Sequence, residues 1–150
     1  MTTGVANTVI RQSIPVSPQG LWGALVDLQR MAKTVPDVRH IAVAPGADAS
    51  RRLVDWTVWL KGFELQWQEA QVLDARAMRL EFHQSQGMFA HYQGSWQVRE
   101  QGQGSELEIR IEFDSGLPHL SQYVNPVLAE AFEGLARELA AACGKPGIAG

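Results

Sequence analysis

Through the middle of the chain, hydrophobic and polar residues alternate, and this period of two is typical of β-strands with one buried face. The cleanest example is residues 106–113, where Leu107, Ile109, Ile111 and Phe113 alternate with charged residues. The same pattern predicts about seven strands, at residues 8–14, about 39–44, 54–60, 65–71, 78–83, 89–98 and 106–113. Short turns, such as Lys61-Gly62 and residues 101–104, separate most of them, so antiparallel hairpins are predicted.

Two stretches have apolar residues spaced by three and four instead, which predicts amphipathic helices. The first follows Ser17-Pro18, a serine cap with proline at the first helical position, and is predicted over residues 18 to about 33. The second follows Asn125-Pro126 and is predicted over about 125–142. Its apolar stripe consists of Val127, Leu128, Ala131, Phe132, Leu135, Ala136 and Leu139.

The order strand, helix, long antiparallel meander and final helix predicts an α+β fold. A sheet with one apolar face must bury that face, and the only long apolar partner in the sequence is the last helix. One straight helix cannot cover the concave side of a seven-stranded sheet. We therefore expect a central cavity between the helix and the sheet.

Length and composition indicate one domain over residues 1–150, with a core at about 7–143. The tail from 144 to 150 is rich in glycine and proline and is expected to be flexible. The net charge is −3 and the basic residues are scattered, which argues against a nucleic-acid partner. The single cysteine, Cys143, has no partner for an internal disulfide and is expected to be a bystander.

Membrane and export signals are not visible in the sequence. No run of about 18 apolar residues exists, so no membrane span is expected. Residues 1–7 are small and polar, without the basic and apolar regions of a signal peptide, and the cytoplasm is the expected location.

The chain resembles the START-like superfamily with the helix-grip (START/Bet v 1-like) fold, nearest to bacterial polyketide aromatase/cyclases and related coenzyme-Q-binding proteins. The resemblance covers nearly all of residues 7–143. It rests on the opening run from Ile14 to Pro18 before Leu21-Trp22, the Gly87-Met88-Phe89 turn with Trp96 downstream, the Glu112-Phe113-Asp114 strand end and the closing helix. It implies a curved antiparallel sheet around a long C-terminal helix, with a cavity for a hydrophobic small molecule.

One position departs from that family. The aromatase/cyclases place a serine and an arginine two and four residues after a tryptophan, and the resemblance implies that the arginine polarises a polyketide carbonyl or protonates a leaving oxygen. In this chain the tryptophan is Trp67, and the two positions hold Glu69 and Gln71. Glutamine donates a hydrogen bond but carries no charge. This chain therefore either uses different chemistry from those aromatase/cyclases or catalyses no reaction.

Three residues are candidates for catalysis. Glu69 shares a strand face with Leu65 and Trp67, and desolvation raises the pKa of a carboxyl group among aromatics, which suits a general acid or base. The alternative is that Glu69 lies at a cavity mouth or pairs with Arg79. Gln71 and Tyr92 are candidate donors to a ligand carbonyl, although a structural tyrosine is equally consistent with the sequence.

The predicted ligand-binding residues are mostly aromatic, because flat rings make walls for flat ligands. They are Trp56, Trp67, Phe82, Phe89, His91, Phe113 and Tyr123. No metal site is expected, because His83 and His91 have no third ligand at metal spacing, and His119 is read as an exposed loop residue. No cofactor is expected, because no phosphate-binding glycine loop, Ser-His-Asp set or HExxH motif is present.

Two functions remain open from the sequence. The first is a polyketide aromatase/cyclase that holds a poly-β-ketone chain and assists aldol cyclisation and dehydration, with an acyl carrier protein as a candidate partner. The second is a non-catalytic carrier or chaperone of a quinone or lipid. The missing arginine favours the carrier, whereas the tryptophans and polar cavity candidates favour the cyclase. Either a monomer or a homodimer is compatible with the sequence.

Overall fold

The computed structural model describes residues 5–144, which form seven strands and three helices. The strands are β1 (Ala6–Ile14), β2 (Val38–Pro45), β3 (Arg51–Leu60), β4 (Phe63–Asp74), β5 (Arg79–Gly87), β6 (His91–Gln101) and β7 (Gly104–Asp114). The helices are α1 (Pro18–Val26), α2 (Leu28–Ala32) and α3 (Ser121–Cys143). Residues 1–4 and most of the predicted tail, 145–150, lie outside the described residues.

All strand pairs are antiparallel, and the sheet order is β1-β7-β6-β5-β4-β3-β2. The meander from β2 to β7 runs through neighbouring hairpins, as the turn signals predict, and β1 closes the sheet beside β7. The long helix α3 packs against β1, β7 and β3. The predicted helix-grip fold is confirmed.

The apolar residues of the alternating strands face α3. On β7, Leu107, Ile109 and Phe113 are almost fully buried, and on α3 Phe132 and Leu139 are buried against the sheet. The Phe113 and Phe132 rings meet edge to face with centroids 5.2 Å apart. Burying apolar surface stabilises the fold by about 25 cal/mol per Å², so this layer is the main source of stability.

The predicted helix at residues 18–33 is wrong in one respect, because it is two helices. Asp27 leaves helical geometry, with φ −92° and ψ 47°, and α2 begins at Leu28. The carbonyls of Leu25 and Val26, left without helical partners at this break, accept hydrogen bonds from the Arg52 guanidinium at 2.9 and 2.7 Å. A distant arginine therefore stabilises an end that helical periodicity alone does not reveal.

The last helix begins at Ser121 rather than at Asn125, so Pro126 lies inside it. Asn125 does not cap the helix. Its side chain is buried, accepts from the Ser115 backbone N–H at 3.0 Å and donates to Asp114 at 3.1 Å. The residue that suggests a helix start therefore anchors the loop between β7 and α3.

Two strand starts also differ from the prediction. Met78 precedes β5 with φ 51°, a turn conformation, and Phe89 lies in the turn before β6. The Gln84 side chain holds this turn, because its amide donates to the Phe89 carbonyl at 2.8 Å and accepts from the Phe89 N–H at 3.2 Å. The aromatic ring is still buried, so the sequence signal for an apolar residue here reflects packing and not a strand.

One end of the sheet gathers the β3–β4 turn, the β5–β6 turn at residues 88–90, the β7–α3 loop at residues 115–120 and the start of α3. We call this the loop end. Several large apolar side chains are exposed on these segments: Phe63, Met88, Leu117, Leu120, Tyr123 and Val127. The helices α1 and α2 pack against α3. No helix among the described residues is long and apolar enough to cross a membrane.

Candidate functional site

Glu69 lies on β4 and faces the interior, with only 3% of its surface exposed. Because side chains two residues apart share a strand face, Trp67 and Gln71 flank it on the same side. The Trp67 indole donates to one carboxylate oxygen at 2.8 Å, and the Gln71 amide donates to the other at 2.6 Å. A buried carboxyl group is thus held by two donors from its own strand.

Arg52 lies directly opposite Gln71 on β3 and supplies the nearest positive charge. Its Nε donates to Gln71 Oε1 at 2.7 Å, while the other guanidinium nitrogens bind the end of α1. The alternative pairing of Glu69 with Arg79 is not formed, because Arg79 contacts Glu81 at 3.1 Å. Gln71 therefore bridges Arg52 and Glu69, and the Arg52 charge lowers the pKa of Glu69.

The environment of Glu69 perturbs its proton affinity in opposing directions. Burial raises the pKa of Glu69, and this effect exceeds the lowering caused by donors on Trp67, Gln71 and Trp56 and by the Arg52 charge. Burial likewise raises the pKa of Tyr92 well above its usual range, and the nearby Glu69 adds to this, so the phenol stays protonated and can donate. A raised pKa brings a carboxyl group closer to the range in which it can serve as a general acid or base.

A central cavity of about 30 Å³ lies beside Glu69. Its lining comes from the sheet and from α3: Trp56, Trp67, Glu69, Phe82, Tyr92, Trp96, Ile111, Phe132, Leu135, Ala136 and Leu139. The predicted cavity is therefore present, but it is much smaller than the roughly 300–1,000 Å³ typical of a small-molecule pocket. It has room for one or two water molecules.

Aromatic rings occupy the space that a ligand would need. Phe132 of α3 packs against Trp67, Phe89, Tyr92 and Phe113, with ring centroids 5.2–5.9 Å apart. Phe89 also stacks on Tyr92 at 5.4 Å. The five rings form one cluster at the side of the cavity toward the loop end.

The structure brings together most of the residues predicted to bind a ligand, but not all. Trp56, Trp67 and Phe82 line the cavity together with Glu69 and Tyr92. Phe89 and Phe113 are buried in the ring cluster behind it, and Gln71 stands behind Glu69 without lining it.

His91 and Tyr123 lie away from the cavity. His91 pairs with Glu112 at 2.6 Å on the outer face of the sheet, and Tyr123 is 68% exposed near the start of α3. Among the described residues no group of His, Cys, Asp or Glu has the arrangement of a metal site. Cys143 is buried, which raises its thiol pKa to about 12 and makes it a poor nucleophile.

Sequence reasoning missed Arg52 and Trp96. The position of Arg52 could have been predicted from the Lys61-Gly62 turn. In a two-residue hairpin, each step back along the first strand pairs with one step forward along the second. Leu60 pairs with Phe63, and the same register places Arg52 opposite Gln71. Trp96 follows from the parity of β6, on which it shares the inner face with Tyr92.

Larger hollows exist on the protein surface. One of about 540 Å³ crosses the outer face of the sheet and is lined largely by polar and charged residues, including Arg79, Glu81, Arg110 and Glu112. Another of about 680 Å³ lies beside the β7–α3 loop. Neither contains a carboxyl group held as Glu69 is.

Residues 6–144 match the family described as polyketide cyclase / dehydrase and lipid transport. The chain belongs to this family. No curated protein matches the sequence.

Several solved structures share the fold of this chain. A Thermus thermophilus protein shares 21% identity at a TM-score of 0.81, covering 92% of this chain and 97% of its own. The Zhui aromatase/cyclase of a Streptomyces species shares 14% sequence identity at a TM-score of 0.83, and the match covers 93% of this chain and 92% of that protein. A START superfamily protein of Mycobacterium smegmatis shares 16% sequence identity at a TM-score of 0.72, and the match covers 91% of this chain and 94% of that protein. At these identities the likeness establishes the fold alone.

Proposed function

We propose that this protein binds a flat, apolar ketone in its interior and catalyses intramolecular aldol cyclisation and dehydration, as a polyketide cyclase does. The observation that carries the proposal is Glu69, a buried carboxyl group with a raised pKa that faces an aromatic-lined cavity. Structural packing alone does not account for a carboxyl group at the centre of an apolar interior, because burying it costs free energy.

The proposed chemistry needs few groups. The Glu69 carboxylate takes a proton from the carbon next to a ligand carbonyl, and the resulting enolate carbon attacks a second carbonyl to form the new C–C bond. Glu69 returns the proton to the alkoxide oxygen. It then takes a second proton from the same carbon and passes it to the departing hydroxyl group, which leaves as water. Holding the chain ends together supplies much of the rate, because a positioned intramolecular reaction avoids an entropic cost.

The neighbouring residues take supporting roles in this proposal. Tyr92 donates to a carbonyl, and Trp56, Trp67 and Phe82 form walls against the flat ligand. Gln71, which was a candidate carbonyl donor, instead holds Glu69 in place, because its amide is engaged by Glu69 and Arg52.

A ligand of this kind requires the interior to open. The cavity of about 30 Å³ does not accommodate even one six-membered ring. Phe89 is the ring best placed to move, because it lies in the β5–β6 turn between strands, beside the exposed Met88. The apolar residues exposed at the loop end mark the side at which we propose that the ligand enters.

A second candidate is a carrier of a quinone or lipid without catalysis. It is favoured by the position of Arg52, whose guanidinium is engaged by Gln71 and by the end of α1 and does not line the cavity. The family description, which includes lipid transport, is compatible with it. A carrier needs the apolar interior but not the Glu69 carboxylate.

The two candidates differ in one assay. A linear heptanedione with its carbonyls three methylenes apart cyclises to a methylcyclohexenone with loss of water. A cyclase should accelerate this conversion, and Glu69→Gln should lower the rate by ~10²–10⁴-fold while retaining ligand binding. Equal rates for the wild type, Glu69→Gln and buffer would contradict catalysis, and binding without turnover would support the carrier.

A further inference from the structure

Trp56 carries the one buried side-chain polar atom, among residues 5–144, that makes no hydrogen bond. Its indole is 5% exposed, and its Nε1 is closed off from solvent. The neighbouring Trp67 indole is nearly parallel to it, with ring centroids 6.1 Å apart, but donates to Glu69. The Trp56 N–H lies near enough to Glu69 to lower its pKa but makes no hydrogen bond to it, so one of the two adjacent indole N–H groups is hydrogen-bonded and the other is not.

Leaving a buried N–H unpaired costs free energy, and native proteins rarely do so without a function or a bound partner. Trp56 lines the central cavity together with Glu69 and Tyr92. Burial and the nearby Glu69 raise the pKa of Tyr92, so its phenol stays protonated and its hydroxyl can donate at the same cavity. Two donors and a carboxyl group therefore border a cavity with the volume of one or two water molecules.

We propose that Trp56 Nε1 and the Tyr92 hydroxyl form a binding site for one neutral oxygen of the ligand, a ketone or enol oxygen. The inference rests on the proposed function and adds the class of ligand group that the cavity selects. An indole N–H donates only, so it selects an acceptor. The adjacent Glu69 disfavours a ligand carboxylate, because two like charges in a buried site repel. A fatty acid would therefore bind less well than a ketone of similar size.

The same placement has a consequence for the chemistry. Two donors on a carbonyl oxygen stabilise the negative charge that develops there when a neighbouring carbon loses its proton. Glu69, which borders the same small cavity, is positioned to take that proton. Trp56 therefore donates a hydrogen bond to the ligand oxygen and also forms an apolar wall of the cavity.

The test compares α-tetralone with tetralin, the same bicycle without the oxygen, by calorimetric titration of the full chain. The quantity measured is the ratio of the two affinities. Trp56→Phe keeps a flat ring but removes the N–H, and should lower the ratio about tenfold, the value of one hydrogen bond. Tyr92→Phe should do the same. Trp96→Phe is the matched control, because Trp96 lines the cavity but its N–H is not among the buried unpaired atoms.

The outcomes separate this inference from the function on which it rests. A ratio that falls in Trp56→Phe and Tyr92→Phe but not in Trp96→Phe supports the oxygen site. Binding of both compounds with an equal ratio in all four proteins overturns the oxygen site and leaves the proposed apolar binding intact. Failure of the wild type to bind either compound overturns both. If Trp56→Phe does not fold, Tyr92→Phe alone decides in the same way.

Discussion

Arg52 Nε donates to Gln71 Oε1 over 2.7 Å, and this contact fixes which way the buried Gln71 amide faces. Because the amide oxygen is taken by the guanidinium, its NH₂ group must point to Glu69, where it donates at 2.6 Å. A flipped amide would place donor against donor at Arg52 and acceptor against acceptor at Glu69. One arginine thereby orients the group that holds the candidate catalytic carboxyl.

Removing that arginine should raise the pKa of Glu69 further. Its charge lowers the pKa of Glu69 against the larger effect of burial, so Arg52→Met should shift the carboxyl titration, followed by carbon NMR, to higher pH. Arg52→Lys keeps the charge without the planar fork and should give a smaller shift. Arg79→Met is the control, because Arg79 pairs with Glu81. An unchanged titration in Arg52→Met would show that the arginine does not act on Glu69.

The raised pKa of Glu69 also predicts how stability depends on pH. A carboxyl group with a raised pKa in the folded state holds its proton more tightly there than in the unfolded chain. This stabilisation is complete below the unfolded pKa of about 4.3 and is lost as pH rises through the folded pKa. The unfolding free energy of the wild type minus that of Glu69→Gln should therefore fall across that window.

Denaturant unfolding at a series of pH values measures this difference. Asp114 acts in the opposite sense, because hydrogen bonds from the Gly116 N–H and then Asn125 lower its pKa, so its contribution is lost as pH falls. Both proteins share Asp114, and its effect cancels in the difference. A difference that stays flat or rises with pH would contradict the burial of Glu69.

Phe132 should be the most costly residue of α3 to truncate. It is 1% exposed and contacts four other rings, so Phe132→Ala should lower the unfolding free energy by ~3–5 kcal/mol. Val127→Ala on the same helix is the control, because Val127 is about half exposed, and it should change stability by no more than ~0.5 kcal/mol. A loss below about 1 kcal/mol in Phe132→Ala would mean that α3 does not pack as described.

Phe89 should control access to the interior. Phe89→Ala removes a ring from the cluster between the cavity and the loop end, so the association rate of α-tetralone, measured by stopped flow, should increase. Met88→Ala in the same turn is exposed at 58% and should leave the rate unchanged. Equal rates in the two variants would place the route elsewhere. The phenylalanine variant should also lose stability, as core truncations do.

The sequence was sufficient for the sheet and for the placement of Glu69, because a period of two and a two-residue turn determine which side chains share a face. It was not sufficient for the break at Asp27 or the early start of α3. At the first place the Arg52 side chain binds the carbonyls of Leu25 and Val26, and at the second the Ser115 backbone N–H binds the Asn125 side chain. Tertiary contacts of this kind override local helix signals.

The size of the cavity could not be predicted either. It depends on how side chains from β3 to β7 and from α3 fill a shared volume, and a pattern of apolar positions does not reveal whether rings interdigitate or leave space. The unpaired N–H of Trp56 was invisible for the same reason, because Trp56 and Trp67 have the same sequence signal and differ only in their partners.

The central claim is that the interior binds an apolar ligand, and the five tryptophans report on it directly. Trp56, Trp67 and Trp96 line the central cavity, whereas Trp22 lies on α1 and Trp59 is partly exposed beneath Arg39. Titration with α-tetralone, followed through the indole N–H resonances in nitrogen-15 NMR spectra, should shift the first three and leave Trp22 and Trp59 unchanged. Shifts confined to Trp59, or no shift at saturating ligand, would contradict it.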